Sequence, residues 1–147
     1  MSDNNNNIVH CLLNDIWSKG DLALLESTMD DEFIGHTSPH DTTIPNVEAY
    51  GQRIALFKSI FPEITFTIDD VISADNKIAV RWTADVKDDH HITPTDQSTG
   101  EPISIGGMTM IRLKNDKIIE IWENWDALSM LESTSSTDVI KGLSLSI

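Results

Sequence analysis

The sequence predicts a single α+β domain in which three N-terminal helices cover the concave face of a cone-shaped, curved antiparallel sheet. Apolar residues recur at helical spacing up to Phe61 and then at every second residue, so the hydrophobic period changes from about 3.6 to 2 near Pro62. The chain has 147 residues, a length at which one hydrophobic core is expected rather than two.

Three segments with helical periodicity come first. An apolar stripe within residues 8–17 predicts the first helix, and Gly20 is placed to end it. Asp21 is placed to cap a second, short helix. The third helix is predicted from the Asn46 cap to Pro62, because apolar residues recur there every three or four positions.

Alternating patterns then predict the sheet. The expected strands are a short piece at 33–36 and four longer ones at 66–72, 78–86, 103–113 and 117–125. Asp75-Asn76 and Asn115-Asp116 are predicted turns, so the four long strands are expected to pair antiparallel. Residues 37–45 and 87–102 are expected to be loops. We expect one domain over residues 1–131 and a C-terminal tail over 132–147.

Composition argues against several classes of partner. Ten Lys and Arg against 24 Asp and Glu give a net charge of −14, which repels nucleic acid and anionic membranes. The sequence has neither a long apolar membrane segment nor a signal-peptide pattern, so a soluble, cytoplasmic protein is expected. Cys11 is the only cysteine, which excludes an intrachain disulfide.

Several short stretches, in this order and spacing, carry a family resemblance. They are Lys19-Gly20-Asp21-Leu22, Phe33-Ile34-Gly35-His36, Phe61-Pro62, Ile78-Ala79-Val80-Arg81, Met108-Thr109-Met110-Ile111-Arg112, Lys117-Ile118-Ile119-Glu120-Ile121-Trp122 and Trp125-Asp126. Over residues 8–131 the chain resembles the SnoaL-like polyketide cyclases of the nuclear-transport-factor-2-like superfamily. The resemblance implies a cystatin-like α+β roll around a pocket, and commonly a homodimer.

The same resemblance implies a catalytic acid. In these cyclases an Asp at the end of the last long strand, matched here to Asp126, acts as acid and base in an aldol ring closure. The alternative for Asp126 is a cap on a helix starting at Ala127. The cyclases pair that Asp with a His on the preceding strand, a place held here by Thr109. His36 is carried to the pocket region as a second catalytic candidate, or else binds a loop carbonyl.

Aromatic residues are expected to form the walls of a substrate pocket. Trp82, Trp122 and Trp125 lie on strands that should be neighbours, while Tyr50 and Phe57 lie on the third helix. Thr109 completes the predicted substrate-binding set. For each aromatic residue, ordinary core packing is the alternative reading.

Neither a metal nor a cofactor is expected. The pair His36 and His40 is separated by Pro39, and the cluster Asp88-Asp89-His90-His91 lies in a predicted exposed loop. Three functions therefore remain open. One is a cofactor-free enzyme that acts on a small, apolar carbonyl compound, and another is a binding module for a small hydrophobic molecule. The third is a homodimerisation domain that uses an outer sheet face with Arg81, Thr83 and Asp85.

Overall fold

The computed structural model describes residues 3–37, 42–87 and 102–126. Its six strands form one curved sheet in the order β2-β1-β6-β5-β4-β3. The strands are β1 Met29–Thr37, β2 Thr42–Ile44, β3 Ile64–Ala74, β4 Lys77–Lys87, β5 Pro102–Lys114 and β6 Lys117–Trp125. Neighbouring strands run antiparallel except β1 and β6, which run parallel.

The helical segments precede the long strands. They are α1 Asp3–His10, which continues as a π-helix over Cys11–Ser18, a 3₁₀ turn at Leu22–Leu24 that leads into α2 Leu25–Thr28, and α3 Val47–Ile60. Gly20 follows the π-helix at φ 75°, a left-handed conformation that glycine adopts without strain. The Asn46 side chain accepts a hydrogen bond from the Ala49 amide at 2.8 Å, which confirms the predicted cap of α3.

The two predicted hairpin turns are confirmed. Asp75, Asn115 and Asp116 adopt positive φ values of 55°, 51° and 63°. Asn and Asp tolerate this region better than other residues with a side chain, which is why they occupy these turns. The turns place β3 against β4 and β5 against β6, in antiparallel registers.

The hydrophobic core lies between the helices and the inner face of the sheet. Along β4, Ile78, Val80, Trp82, Ala84 and Val86 are all buried, whereas the residues between them are more exposed. Leu12, Leu13 and Ile16 of the π-helix are buried in the same core. This is the predicted α+β arrangement, in which a helical layer covers one face of a curved sheet.

Three local predictions differ from the structure. The sheet is mixed rather than wholly antiparallel, because β1 pairs with the distant β6 in parallel. The predicted loop 37–45 contains β2, which pairs with β1. The Asp21 side chain makes no capping hydrogen bond. The predictions for His40, for residues 88–101, for the helix after Asp126 and for the tail 132–147 lie outside the described residues.

Candidate active site

A cavity lies between the inner face of the sheet and the helical layer. It has about 50 Å³ of free volume, enough for a few water molecules. Its walls are mainly apolar and aromatic, and include Trp17, Phe57, Phe66 and Trp82. Four polar or charged side chains also reach it. They are Thr37, Arg53, Thr109 and Glu123.

Glu123 provides the carboxylate of this cavity. It lies on β6 and is only 8% exposed. Its Oε2 accepts a hydrogen bond from the Tyr50 hydroxyl at 2.8 Å. Burial raises the pKa of Glu123 above its ordinary value, and this effect is opposed by the charge of Arg53 and by the hydrogen bond from Tyr50.

Arg53 supplies a positive charge in the same cavity. It is 3% exposed and donates from Nη2 to the Thr37 hydroxyl at 3.1 Å. Its guanidinium carbon lies 5.2 Å from the centre of the Phe57 ring, within cation–π distance. Burial lowers the pKa of Arg53 below its ordinary value, and the negative charge of Glu123 opposes this. The site therefore pairs a buried carboxylate with a buried cation.

Trp82 forms one wall because its neighbour across the sheet is a glycine. Its Nε1 donates to the Thr109 hydroxyl at 2.9 Å. A Cβ atom on Gly107, its cross-strand partner, would lie only 2.2 Å from the indole ring. Because Gly107 has no side chain, the indole of Trp82 can lie over β5 at that position and reach Thr109 on the same strand.

Trp125 marks the rim of the cavity. Among the described residues that line the cavity, all are buried except Trp125, which is half-buried. Its ring meets Phe57 edge-to-face, with centroids 6.1 Å apart. A ligand larger than the free volume would have to displace side chains, and Trp125 is the lining residue nearest to solvent.

Most of the predicted substrate-binding residues come together here. Trp82, Trp125, Phe57 and Thr109 line the cavity. Tyr50 is 0% exposed and contributes through its hydrogen bond to Glu123.

Three predicted site residues do not reach the cavity. His36 and Trp122 lie on the outer face of the sheet, where their rings stack with centroids 5.3 Å apart. His36 Nε2 lies 2.7 Å from Glu120 Oε2. The side chain of Asp126 is exposed, so the expected desolvated setting of this residue is wrong.

The reason for this difference is strand parity. Successive side chains of β6 point to opposite faces, so Ile121, Glu123 and Trp125 share the inner face. Trp122 has the other parity and belongs with the outer face, and Asp126 follows the last residue of β6.

The residue opposite Thr109 in the strand register is an acid other than the one expected. The resemblance matches the catalytic Asp to Asp126 and its His partner to the position of Thr109. The cross-strand partner of Thr109 is Glu123. Glu123 was not among the residues expected from the sequence, and its alternation with Ile121 and Trp125 is the signal that could have found it.

A family model described as SnoaL-like polyketide cyclase matches residues 7–133. The chain belongs to this family.

Solved structures of low sequence identity share the fold. A candidate polyketide cyclase from Acidithiobacillus ferrooxidans aligns with a TM-score of 0.78 and 17% identity, over 92% of this chain and 96% of that one. IdmH, a candidate polyketide cyclase from Streptomyces antibioticus, aligns with a TM-score of 0.73 and 20% identity, over 90% and 98% of the two chains.

AclR, a candidate hydroxylase from Streptomyces galilaeus, aligns with a TM-score of 0.67 and 15% identity, over 93% of this chain and 97% of that one. No curated protein matches the chain. At these identities the structural likeness establishes the fold, while the chemistry has to be argued from the site.

Two further properties concern the described residues alone. No group of three or more His, Cys, Asp or Glu side chains within residues 3–37, 42–87 and 102–126 is arranged to hold a metal ion. In the same part of the chain, no helix is both long and apolar enough to cross a membrane.

Proposed function

We propose that this SnoaL-like protein is a small-molecule enzyme that carries out cofactor-free acid/base chemistry, either an aldol-type cyclisation or an isomerisation, on an apolar carbonyl compound. The observation that carries the proposal is a buried carboxylate, Glu123, in an apolar cavity beside a buried guanidinium. Apolar walls favour an apolar substrate, and the few polar groups set its orientation.

The reaction begins with removal of a proton from the carbon next to the carbonyl. Glu123 accepts this proton and becomes a carboxylic acid, while the electron pair of the broken C–H bond moves onto the carbonyl oxygen. Arg53 stabilises the negative oxygen of the resulting enolate. In an aldol closure the enolate carbon attacks a second carbonyl carbon of the same molecule, so that a C–C bond forms, the C=O electron pair moves onto that oxygen, and Glu123 returns its proton to this alkoxide. In an isomerisation Glu123 returns the proton to another carbon.

Burial suits Glu123 to this role. A raised pKa makes its carboxylate a stronger base than an exposed one, and its acid form persists to higher pH than that of an exposed glutamate. This supports Glu123 rather than the exposed Asp126 as the general acid/base.

Proton exchange tests the proposal without knowledge of the natural substrate. A simple aromatic ketone, 2-tetralone, is incubated with the protein in D₂O, and deuterium at its α-carbons is followed by NMR against a protein-free blank. We expect exchange faster than the blank, and Glu123→Gln should lower the protein-dependent rate by about 10²-fold or more. Asp126→Asn is the matched control and should retain the rate.

A second candidate function is a binding module for a small hydrophobic molecule, and one observation favours it. The position that faces Glu123 across the strands is Thr109, whose hydroxyl already accepts the Trp82 indole N–H. This position therefore holds a hydroxyl rather than an imidazole that could carry a second proton. Quenching of tryptophan fluorescence by 2-tetralone without any protein-dependent exchange would favour binding alone.

We also propose that the outer face of the sheet joins two copies of the chain. Ile72, Ala79, Met110 and Trp122 are successive cross-strand neighbours on β3, β4, β5 and β6, and we call them the outer stripe. Ile72 is 67% exposed and Met110 is 45% exposed. Ala79 and Trp122 are partly exposed. An apolar stripe with exposed members is typical of an interface, and a two-fold axis pairs such a stripe with itself.

A further inference from the structure

Behind Glu123 lies a chain of buried hydrogen bonds. Trp17 Nε1 donates to the Tyr50 hydroxyl oxygen at 2.9 Å, and the Tyr50 hydroxyl donates to Glu123 Oε2 at 2.8 Å. Trp17 is 5% exposed, Tyr50 0% and Glu123 8%. The rings of Trp17 and Tyr50 pack edge-to-face, with their centroids 6.0 Å apart. Packing as well as hydrogen bonding therefore fixes the positions of these side chains.

The direction of these hydrogen bonds is forced by the chemistry of the side chains. An indole N–H donates and cannot accept, and a phenol has a single hydrogen. An ionised carboxylate can only accept, so the Tyr50 hydrogen points to Glu123 Oε2. When Glu123 takes up a proton, this hydrogen bond is kept with the proton on Oε1, because a proton on Oε2 would displace the Tyr50 hydrogen from its acceptor.

We propose that Trp17 and Tyr50 are positioning residues which hold Oε2 of Glu123 as an acceptor and thereby assign Oε1 as the oxygen that exchanges protons with the substrate. This inference rests on the proposed role of Glu123 as general acid/base. It adds to that role a defined donor chain from two helical segments and a defined reacting oxygen.

The chain also tunes how readily Glu123 takes up a proton. The titratable and charged groups that act on its pKa are Tyr50 and Arg53, which lie three residues apart on one face of α3. The hydrogen bond from Tyr50 lowers the pKa of Glu123, in opposition to burial. Donation from Trp17 polarises the Tyr50 hydroxyl and makes it a stronger donor, since linked hydrogen bonds reinforce one another.

A carboxyl titration tests the proposal independently of catalysis. Protein labelled with ¹³C at the glutamate side-chain carboxyls is titrated by NMR, and the Glu123 signal is assigned by its loss in Glu123→Gln. Tyr50→Phe should move the Glu123 midpoint to higher pH, and Trp17→Phe should move it in the same direction by less. Phe33→Leu is the packing control, because the centroid of the Phe33 ring lies 5.3 Å from that of the Tyr50 ring and phenylalanine cannot form a side-chain hydrogen bond with it. Its midpoint should stay at the wild-type value.

Fluorination gives a second test that keeps all side chains in place. Tyr50 is the only tyrosine, so growth with 3,5-difluorotyrosine labels this site alone. Fluorine makes the phenol a stronger donor, and the Glu123 midpoint should therefore move to lower pH, opposite to Tyr50→Phe. Equal midpoints in the wild-type, Tyr50→Phe and fluorinated proteins would overturn the proposal. Loss of ketone exchange with these midpoint shifts intact would instead count against the proposed function.

Discussion

Gly107 allows the cavity wall to form, and its substitution by alanine is the sharpest test of the packing described above. The new Cβ would lie 2.2 Å from Trp82 Cζ2 and 2.3 Å from Cη2, whereas ordinary contact begins near 3.4 Å. The indole must therefore move by about 3.4 − 2.2 = 1.2 Å. A shift of that size removes the 2.9 Å hydrogen bond from Trp82 to Thr109.

The expected loss of stability follows from these two effects. Overpacking of a well-filled core costs about 1–3 kcal/mol, and loss of a buried hydrogen bond costs about 1 kcal/mol more. We expect Gly107→Ala to lower the free energy of unfolding by about 2–4 kcal/mol, as measured by urea denaturation followed by circular dichroism. The displaced indole should also fill part of the cavity and weaken binding of 2-tetralone.

The neighbouring glycine provides the matched control. A Cβ on Gly106 meets no atom within 4 Å, so Gly106→Ala should leave stability within about 0.5 kcal/mol of the wild type. Adding Trp82→Phe to Gly107→Ala removes most of the clashing ring and should recover part of the lost stability. Equal urea denaturation midpoints for Gly107→Ala and Gly106→Ala would refute the conclusion that Gly107 leaves room for the Trp82 ring.

Three further predictions concern the rim, pH and the outer stripe. Trp125→Ala should speed entry of 2-tetralone in stopped-flow fluorescence and, because Trp125 is only half-buried, should cost less than the about 3–5 kcal/mol of a fully buried tryptophan. Since burial raises the pKa of Glu123 above its unfolded value of 4.5, the native state holds that proton more tightly. The free energy of unfolding should therefore fall as pH rises from about 4.5 through the folded pKa and then level off. Met110→Glu should convert a dimer to a monomer in sedimentation experiments.

Each of these predictions has a clear contrary result. Unchanged entry kinetics in Trp125→Ala would remove Trp125 from the entrance. If the free energy of unfolding of Glu123→Gln falls with pH as steeply as that of the wild type, another group causes the pH dependence. For the outer stripe, Ala55→Glu on the exposed side of α3 is the control and should leave the dimer intact. A wild-type protein that sediments as a monomer at micromolar concentration would end the dimer proposal.

Much of the fold was predictable because it depends on local patterns. The buried alternation of β4, the Asn46 cap and the turn residues at Asp75 and Asn115 each act over a few residues, and each is found as expected. The parallel pairing of β1 with β6 was not predictable in this way. Its two partners are distant in the chain, and nothing in the local pattern of either strand specifies the other.

The site shows the same division. Alternation, a property of any strand, separates Glu123 and Trp125 from Trp122, whereas the expectation from the sequence placed Trp122, Trp125 and Asp126 around one pocket. Only the tertiary structure decided which of these faces is dry, since that depends on where the helical layer packs. Packing against α3 turned Glu123 into a buried acid bonded to Tyr50, while Asp126 was left in contact with water.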